Sequence, residues 1–132
     1  MHIAVTTILL ANAGLTALVG NRIHWMRLPQ EVSGFPYINL QQISGVREYH
    51  MQGPAGLVGG RLQIDAWGTR YLDAKNAADA AAQALSGYRD ETIRGGFIDN
   101  ERDYADESAG GVLKLFRTQI DIMIWYKETS NA

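Results

Sequence analysis

The chain of 132 residues contains no cysteine, which excludes disulfide bonds and thiolate metal sites. Histidine is also scarce. His2, His24 and His50 fall in different segments, and none stands at metal-ligand spacing from another, so we expect structural or surface roles for them. The 12 basic and 14 acidic residues are scattered without a basic cluster. This pattern argues against a general nucleic-acid binder, which usually carries a basic patch or stripe.

Sequence motifs for catalysis and cofactor binding are missing too. The glycine-rich segment 53–60 lacks the Gly-Lys-Ser/Thr ending of a phosphate loop, and no Gly-x-Ser-x-Gly elbow occurs. The acidic segment Asp99–Glu107 fails as a calcium loop, because Tyr104 stands where the sixth position needs glycine. Asp65 and Asp121 are conceivable as a carboxylate pair, but strand alternation favours an exposed polar face instead. We therefore predict no enzyme, no cofactor and no metal.

The N-terminal segment is apolar but lacks the features of a membrane span or a cleaved signal. No lysine or arginine precedes the apolar run, and Thr6, Thr7 and Asn12 interrupt it. We predict a docked helix from Met1 to about Ala13 that ends near Gly14. A short turn should follow it at residues 15–19.

Alternating side chains mark the strands that the chain does contain. One face of the two clearest segments is apolar and carries Leu62, Ile64, Ala66, Ile120, Ile122 and Ile124. The other face carries Gln63, Asp65, Trp67, Gln119, Asp121, Met123 and Trp125. Further strands are predicted at 23–26 and 37–44, and one should begin at 95–98. The last strand, 112–126, would span roughly 50 Å at about 3.3 Å per residue, so we expect it to bend, bulge or overrun its own sheet.

A second helix is predicted after Gly68, where a stripe at helical spacing is formed by Tyr71, Ala74, Ala78, Ala81, Leu85 and Tyr88. We take Thr69 as its N-cap and Gly87 as the residue just beyond its end. The segments 45–59 and 99–111 are predicted as loops. The fold class is then α+β, with a mixed or antiparallel sheet of about four to five strands covered by two helices in the order α-β-β-β-α-β-β. We expect one domain over 1–132 with a frayed tail at 127–132.

Aromatic and charged residues in the long 45–59 segment and on the strand faces are candidates for contact with other proteins. Such residues are enriched at protein–protein interfaces. The candidates are Arg47, Glu48, Tyr49, His50, Met51, Trp67 and Trp125. The two tryptophans fit core positions under a helix equally well.

Three stretches resemble the phage tail completion family, whose members include tail terminators and head-to-tail joining proteins of long-tailed phages. The first is LTALVGNRIHW with the downstream FPYINLQQISG, and the second is LQIDAWGTRYLDAKNAADAAAQAL. The third is the closing strand RTQIDIMIWY. Together they extend from about Leu15 to Tyr126.

The resemblance implies a structural protein of a phage or prophage that acts without catalysis or cofactor. Such subunits form a ring, typically hexameric, at the tail–head junction of the virion after assembly in the bacterial cytoplasm. The implied partners are copies of the chain, the tail tube protein and the head connector or stopper, with no membrane. DNA would pass through the ring without specific binding, and Gln63, Asp65, Gln119 and Asp121 are candidates to face that lumen. The alternatives are a small-molecule-binding or enzymatic α+β domain that uses the aromatic and acidic strand face, and a monomeric adaptor.

Overall fold

One mixed sheet of five strands, covered by three helices, makes up the fold in a computed structural model that describes residues 2–27, 34–107 and 114–127. In chain order the elements are α1 (His2–Ala11), α2 (Ala13–Val19), β1 (Ile23–Trp25), β2 (Tyr37–His50), β3 (Gly53–Gly68), α3 (Tyr71–Leu85), β4 (Ile93–Glu107) and β5 (Lys114–Lys127). The strand order is β1-β2-β3-β5-β4, with β1 parallel to β2 and every other pair antiparallel. The predicted α+β class with a mixed sheet is confirmed.

The first face of the sheet, which lies under the helices, is the hydrophobic core. The predicted apolar side chains of β3 and β5 are all buried there, and Leu62 pairs with Ile122 as Ile64 pairs with Ile120 across the two strands. The helices contribute the buried residues Val5, Leu9, Leu15, Val19, Ala77, Ala78, Ala81 and Leu85 to the same cluster. The alternation predicted for these two strands is therefore confirmed.

Small residues let α3 lie very close to the sheet. Its buried side is mostly alanine, and its end meets β4 at Gly96. A Cβ atom on Gly96 would stand 2.2 Å from the carbonyl oxygen of Leu85. The backbone N–H of Gly87 also donates to the carbonyl oxygen of Gly96 at 2.8 Å. Gly87 has φ 75° and follows the C-cap Ser86, so the prediction that it lies just beyond the end of the helix is confirmed.

The N-terminal prediction of one helix followed by a turn is wrong, because residues 13–19 form α2. Asn12 does not stop the chain but caps α2, since its side-chain oxygen accepts from the backbone N–H of Leu15 at 2.9 Å. Gly14 lies inside α2, and α1 and α2 meet at 86°. At the start of α3 the cap is Arg70, without a side-chain hydrogen bond, rather than Thr69.

No single helix in the described part of the chain is long and apolar enough to cross a membrane. The bent pair of α1 and α2 passes that test of length and composition when the two are taken together.

Two segments predicted as loops are strands instead. Residues 45–59 are the end of β2 and the start of β3, which form a hairpin closed at Met51 and Gln52, with β-bulges that absorb the irregular register. Asp99–Glu107 belongs to β4 and pairs along β5, so its charges lie on an edge strand rather than in a loop. The last strand ends at Lys127 and is paired within the subunit on both sides, with β3 at residues 116–127 and with β4 at residues 114–126, so the expectation that it overruns its own sheet is wrong. Residues 108–113 and the predicted frayed tail at 128–132 lie outside the described residues.

We expect Gly96→Ala to lower the free energy of unfolding by about 1–3 kcal/mol, because the new methyl group overlaps backbone that cannot move aside cheaply. Urea unfolding measures this. Gly45→Ala is the matched control, since its Cβ would meet chiefly the end of the flexible Gln42 side chain. Equal effects of the two substitutions would contradict the close approach of α3.

Candidate protein-interaction surface

The second face of the sheet carries no helix among the described residues, because the buried sides of all three helices join the core on the first face. Its side chains stand in register across the strands. One row is Tyr37, Trp67, Arg117 and Tyr104; the next is Asn39, Asp65, Gln119 and Arg102; a third is Gln41, Gln63, Asp121 and Asn100. The four residues proposed from sequence to face a lumen, Gln63, Asp65, Gln119 and Asp121, are thus direct neighbours in two adjacent rows.

Neighbouring side chains of the first row contact one another. We name Tyr37, Trp67, Tyr104 and Arg117 the aromatic cluster. The rings of Tyr37 and Trp67 are stacked with centroids 6.3 Å apart. The Arg117 guanidinium lies 5.1 Å from the Trp67 ring and 4.3 Å from the Tyr104 ring, within cation–π range of both. Trp67 is only 7% exposed as a result. The Trp67 ring therefore packs against side chains of its own subunit.

Beside the aromatic cluster, polar side chains are buried. Asp65 is 6% exposed and Gln119 7%, so the expectation of an exposed strand face is wrong at these positions. The neighbouring rings and long side chains exclude water from them. Burial raises the pKa of the Asp65 carboxyl above its usual range, although the Gln63 side-chain amide, which donates to it at 3.0 Å, and the Arg117 charge act in the opposite direction.

Several buried polar atoms at this end of the second face have no hydrogen-bond partner within the described residues. They are His24 Nε2, Tyr37 Oη, Asp65 Oδ1, Trp67 Nε1 and Arg117 Nε. Burial is also the largest cause that lowers the pKa of His24 and raises that of Tyr37. An unpaired buried polar group costs about 1–3 kcal/mol of folding free energy. Side chains at this end of the face therefore contribute less to stability than those of the core on the opposite face.

The middle of the face is an ion-pair band formed by Arg61, Asp99, Arg102 and Asp121. Asp121 lies 3.9 Å from Arg61 and 3.6 Å from Arg102, and Arg61 also binds Asp99. Asp121 is therefore held by arginines, whereas Asp65 is buried, and the two do not converge on a cleft. Among the described residues no group of three His, Cys, Asp or Glu side chains is arranged to hold a metal ion.

Beyond the ion-pair band the second face becomes apolar, and we name Val46, Phe97, Met123 and Trp125 the apolar patch. Val46 and Phe97 are 62% and 60% exposed. Glycines let the aromatic rings lie flat on the sheet. A Cβ on Gly59 would stand 2.8 Å from the Trp125 ring, and one on Gly95 would stand 3.1 Å from the Phe97 ring.

Next to the apolar patch the β2–β3 hairpin continues past the end of β5, and we name residues 47–57 the arm. The last register pair with β5 is Leu57 with Lys127, so residues 53–56 extend roughly 13 Å beyond it at about 3.3 Å per residue. Every residue of β2 in the arm is exposed, including Tyr49 at 67%, and Met51 at the tip is fully exposed. A lone two-stranded hairpin is marginally stable, which suggests that the arm meets a partner.

The seven interface candidates from sequence do not form one surface. Arg47, Glu48, Tyr49, His50 and Met51 lie on the arm, and Trp125 lies in the apolar patch beside it. Trp67 lies in the aromatic cluster, eight residues from Gly59 along β3 and so roughly 26 Å from the Trp125 row.

Val46, Phe97 and Met123 are not among the interface candidates that the sequence predicts. The signal that points to them is glycine within strands, since Gly59 and Gly95 mark places where a ring approaches the backbone.

Comparison with known proteins agrees with this architecture. A family model described as tail completion protein gp17 matches residues 3–127. A chain in the solved structure "Virion of native gene transfer agent (GTA) particle" has the same fold, with a TM-score of 0.68 at 20% identity over 93% of this chain and 91% of that one. A crystal structure from Akkermansia muciniphila gives a TM-score of 0.36 at 15% identity over 70% of this chain and 44% of that one. No curated protein is significantly similar in sequence.

The raised pKa of Asp65 predicts how its substitution depends on pH. The contribution of Asp65 to stability is fully present below the ordinary pKa of 3.8 and is lost as the pH rises through the higher folded-state value. Asp65→Asn cannot ionise, so it should gain stability relative to the unsubstituted chain between acid and neutral pH. Urea unfolding across that range measures the difference. Asp79→Asn, at an exposed position of α3, is the control, and a pH-independent difference for Asp65→Asn would contradict the buried carboxyl.

Proposed function

Because the chain belongs to the tail completion protein gp17 family, we propose that it completes the tail of a phage-like particle as a ring-forming subunit. Family membership gives it a structural role in tail completion and a place in the virion. The ring is the finer part of the proposal: several copies, six by resemblance, cap the tail tube and meet the head connector or stopper. DNA passes through the ring without specific binding.

The observation that carries the proposal is the uncovered end of the subunit. The arm and the apolar patch lie side by side, and together they expose Val46, Tyr49, Met51 and Phe97. An apolar surface of this kind with a charged rim is typical of an interface. In a ring each subunit needs two different contact surfaces, since head-to-tail contacts are heterologous. A projecting arm reaches a neighbour without changing the core.

We also infer that the subunit works without a catalytic step. A pair of catalytic carboxyl groups needs a cleft in which substrate reaches both. Asp121 is instead held between Arg61 and Arg102, and Asp65 is buried. These contacts support a structural use of both acids over the enzymatic alternative.

The same contacts change what a lumen built from the second face would present to DNA. Asp65 and Gln119 expose almost no surface, and arginines offset the charge of Asp121. Such a lumen would repel DNA weakly, and Gln63 with the exposed part of Asp121 would be its main polar lining. We therefore propose passive passage rather than electrostatic exclusion of DNA.

Removing the apolar side chains of the arm tests the function directly. The double substitution Tyr49→Ser/Met51→Ser should leave the free energy of unfolding within about 0.5 kcal/mol, because both side chains are exposed, yet abolish tail completion. The measurement is complementation of a particle lacking this protein, scored by electron microscopy of head–tail joining and tail length. Leu72→Ser on α3, where the leucine is similarly exposed, should complement fully. Normal particles from the double variant would refute a role for the arm.

A further inference from the structure

The outer side of α1 is an apolar ridge that nothing in the described residues covers. The helix HIAVTTILLA contains no Asp, Glu, Lys or Arg, and only Val5 and Leu9 are fully buried in the core. We name Ile3, Thr7 and Leu10, which stand at positions i, i+4 and i+7, the α1 ridge. Ile3 is 77% exposed. The Thr7 hydroxyl donates to the backbone carbonyl of Ile3 at 2.8 Å, so its hydrogen-bond donor is already satisfied within the helix when a partner covers it.

The α1 ridge is also held in a fixed position. The Trp25 indole N–H donates to the Thr6 hydroxyl at 2.9 Å, and the His2 and Trp25 rings meet edge to face with centroids 4.5 Å apart. These contacts join the helix to β1 at the edge of the sheet. A rigid ridge loses little conformational entropy when it binds.

The α1 ridge and the apolar patch are similar in length, and both are uncharged. The apolar patch extends across β2, β3, β5 and β4, which is three strand spacings or roughly 14 Å. Helix α1 has 10 residues and is therefore roughly 15 Å long. Neither surface contains a charged side chain, and the nearby Arg61, Asp99 and Asp121 are already paired with one another.

A cavity beside the ridge adds a place for a protruding side chain. It has a volume of about 540 Å³ and lies between α1 and the segment 88–92. Its carboxylate, Asp90, already accepts the backbone N–H groups of Thr92 and Ile93 at 2.7 and 2.6 Å and the Tyr88 hydroxyl at 2.9 Å. An apolar side chain of a neighbour can therefore enter without leaving a buried charge unpaired.

We propose that in the ring the α1 ridge of one subunit packs on the apolar patch of the next. The two surfaces lie on opposite layers of the same chain, and a head-to-tail contact between copies joins two different surfaces in this way. The contact also covers a bare sheet face with a helix, which is the usual way that such a face is buried. This inference rests on the proposed ring and adds which surfaces form it.

The absence of cysteine makes the contact testable by cross-linking. Val46→Cys marks the edge of the patch, and Ile3→Cys or Leu10→Cys marks one end of the ridge. Val46→Cys should cross-link to at least one ridge cysteine about tenfold better than to Leu72→Cys on α3, because the contact holds the thiols at a high effective concentration. The variants are mixed in pairs as full-length chains, in solution and in completed particles, and covalent dimers are counted after oxidation.

Oligomer mass measured on the same samples separates this inference from the ring itself. Rings whose ridge–patch pairs cross-link no better than the Leu72→Cys pair would overturn the inference and leave the ring intact. Efficient cross-linking between two Val46→Cys chains would show that the patch of one subunit contacts the patch of another. Preferential cross-linking of Val46→Cys to Met51→Cys would show that the patch contacts the neighbour's arm. Either result overturns the proposal. A chain that forms no ring, even on tail tubes, would refute the ring as well.

Discussion

The close approach of α3 to the sheet is the constraint on which the rest of the subunit depends. Alanines at positions 74, 77, 78 and 81 keep the helix flat against β3 and β5, and Gly96 removes the one Cβ that would push its end away. Each alanine adds little burial energy, so the stabilisation comes mainly from the isoleucines and leucines beneath. With α1 and α2 packed on the same layer, all three helices of the described residues cover the first face. The second face must then be stabilised by its own side chains or by another molecule.

Both solutions occur, at opposite ends of that face. At one end Arg117 lies against the rings of Trp67 and Tyr104, and Tyr37 stacks on Trp67. Asp65 is buried beside them, even though some polar atoms lack partners. The ion-pair band follows, where charges satisfy one another at the surface. Only at the other end, where Gly59 and Gly95 let rings lie flat, does the face stay apolar and open. Surface available for contact is therefore concentrated beside the arm.

The local sequence pattern predicts correctly those elements whose signal lies within one segment. It fails where the structure depends on contacts between strands that are distant in sequence. Period-two alternation assigned β3 and β5 to the correct faces, and the alanine stripe located α3, because each signal is contained in one segment. The loop prediction for residues 45–59 is wrong because a glycine there can also lie within a strand: Gly59 makes room for the ring of Trp125, which comes 66 residues later in the chain. The charges of 99–107 suggested a loop because edge strands carry similar charges. The burial of Asp65 depends on Trp67 and on Arg117 from β5, so it follows from a register that composition does not fix. The tail completion resemblance, by contrast, is confirmed by the family match.

The size of the open end bears on how strongly two copies hold together. Four patch residues and one short helix bury far less than the roughly 1,200–2,000 Å² of a stable protein pair, so a single such contact is weak. The arm lies directly beside the patch, and a neighbour that covers Val46 and Trp125 also reaches Tyr49. Each contact then stabilises a hairpin that is marginal alone. In a closed ring every subunit makes the contact twice, and the last subunit binds from a high effective concentration. Weak contacts of this type favour assembly on a template, such as a finished tail tube, over free rings. Subunits bound to the template have a high effective concentration near one another, which compensates for the low affinity of each contact.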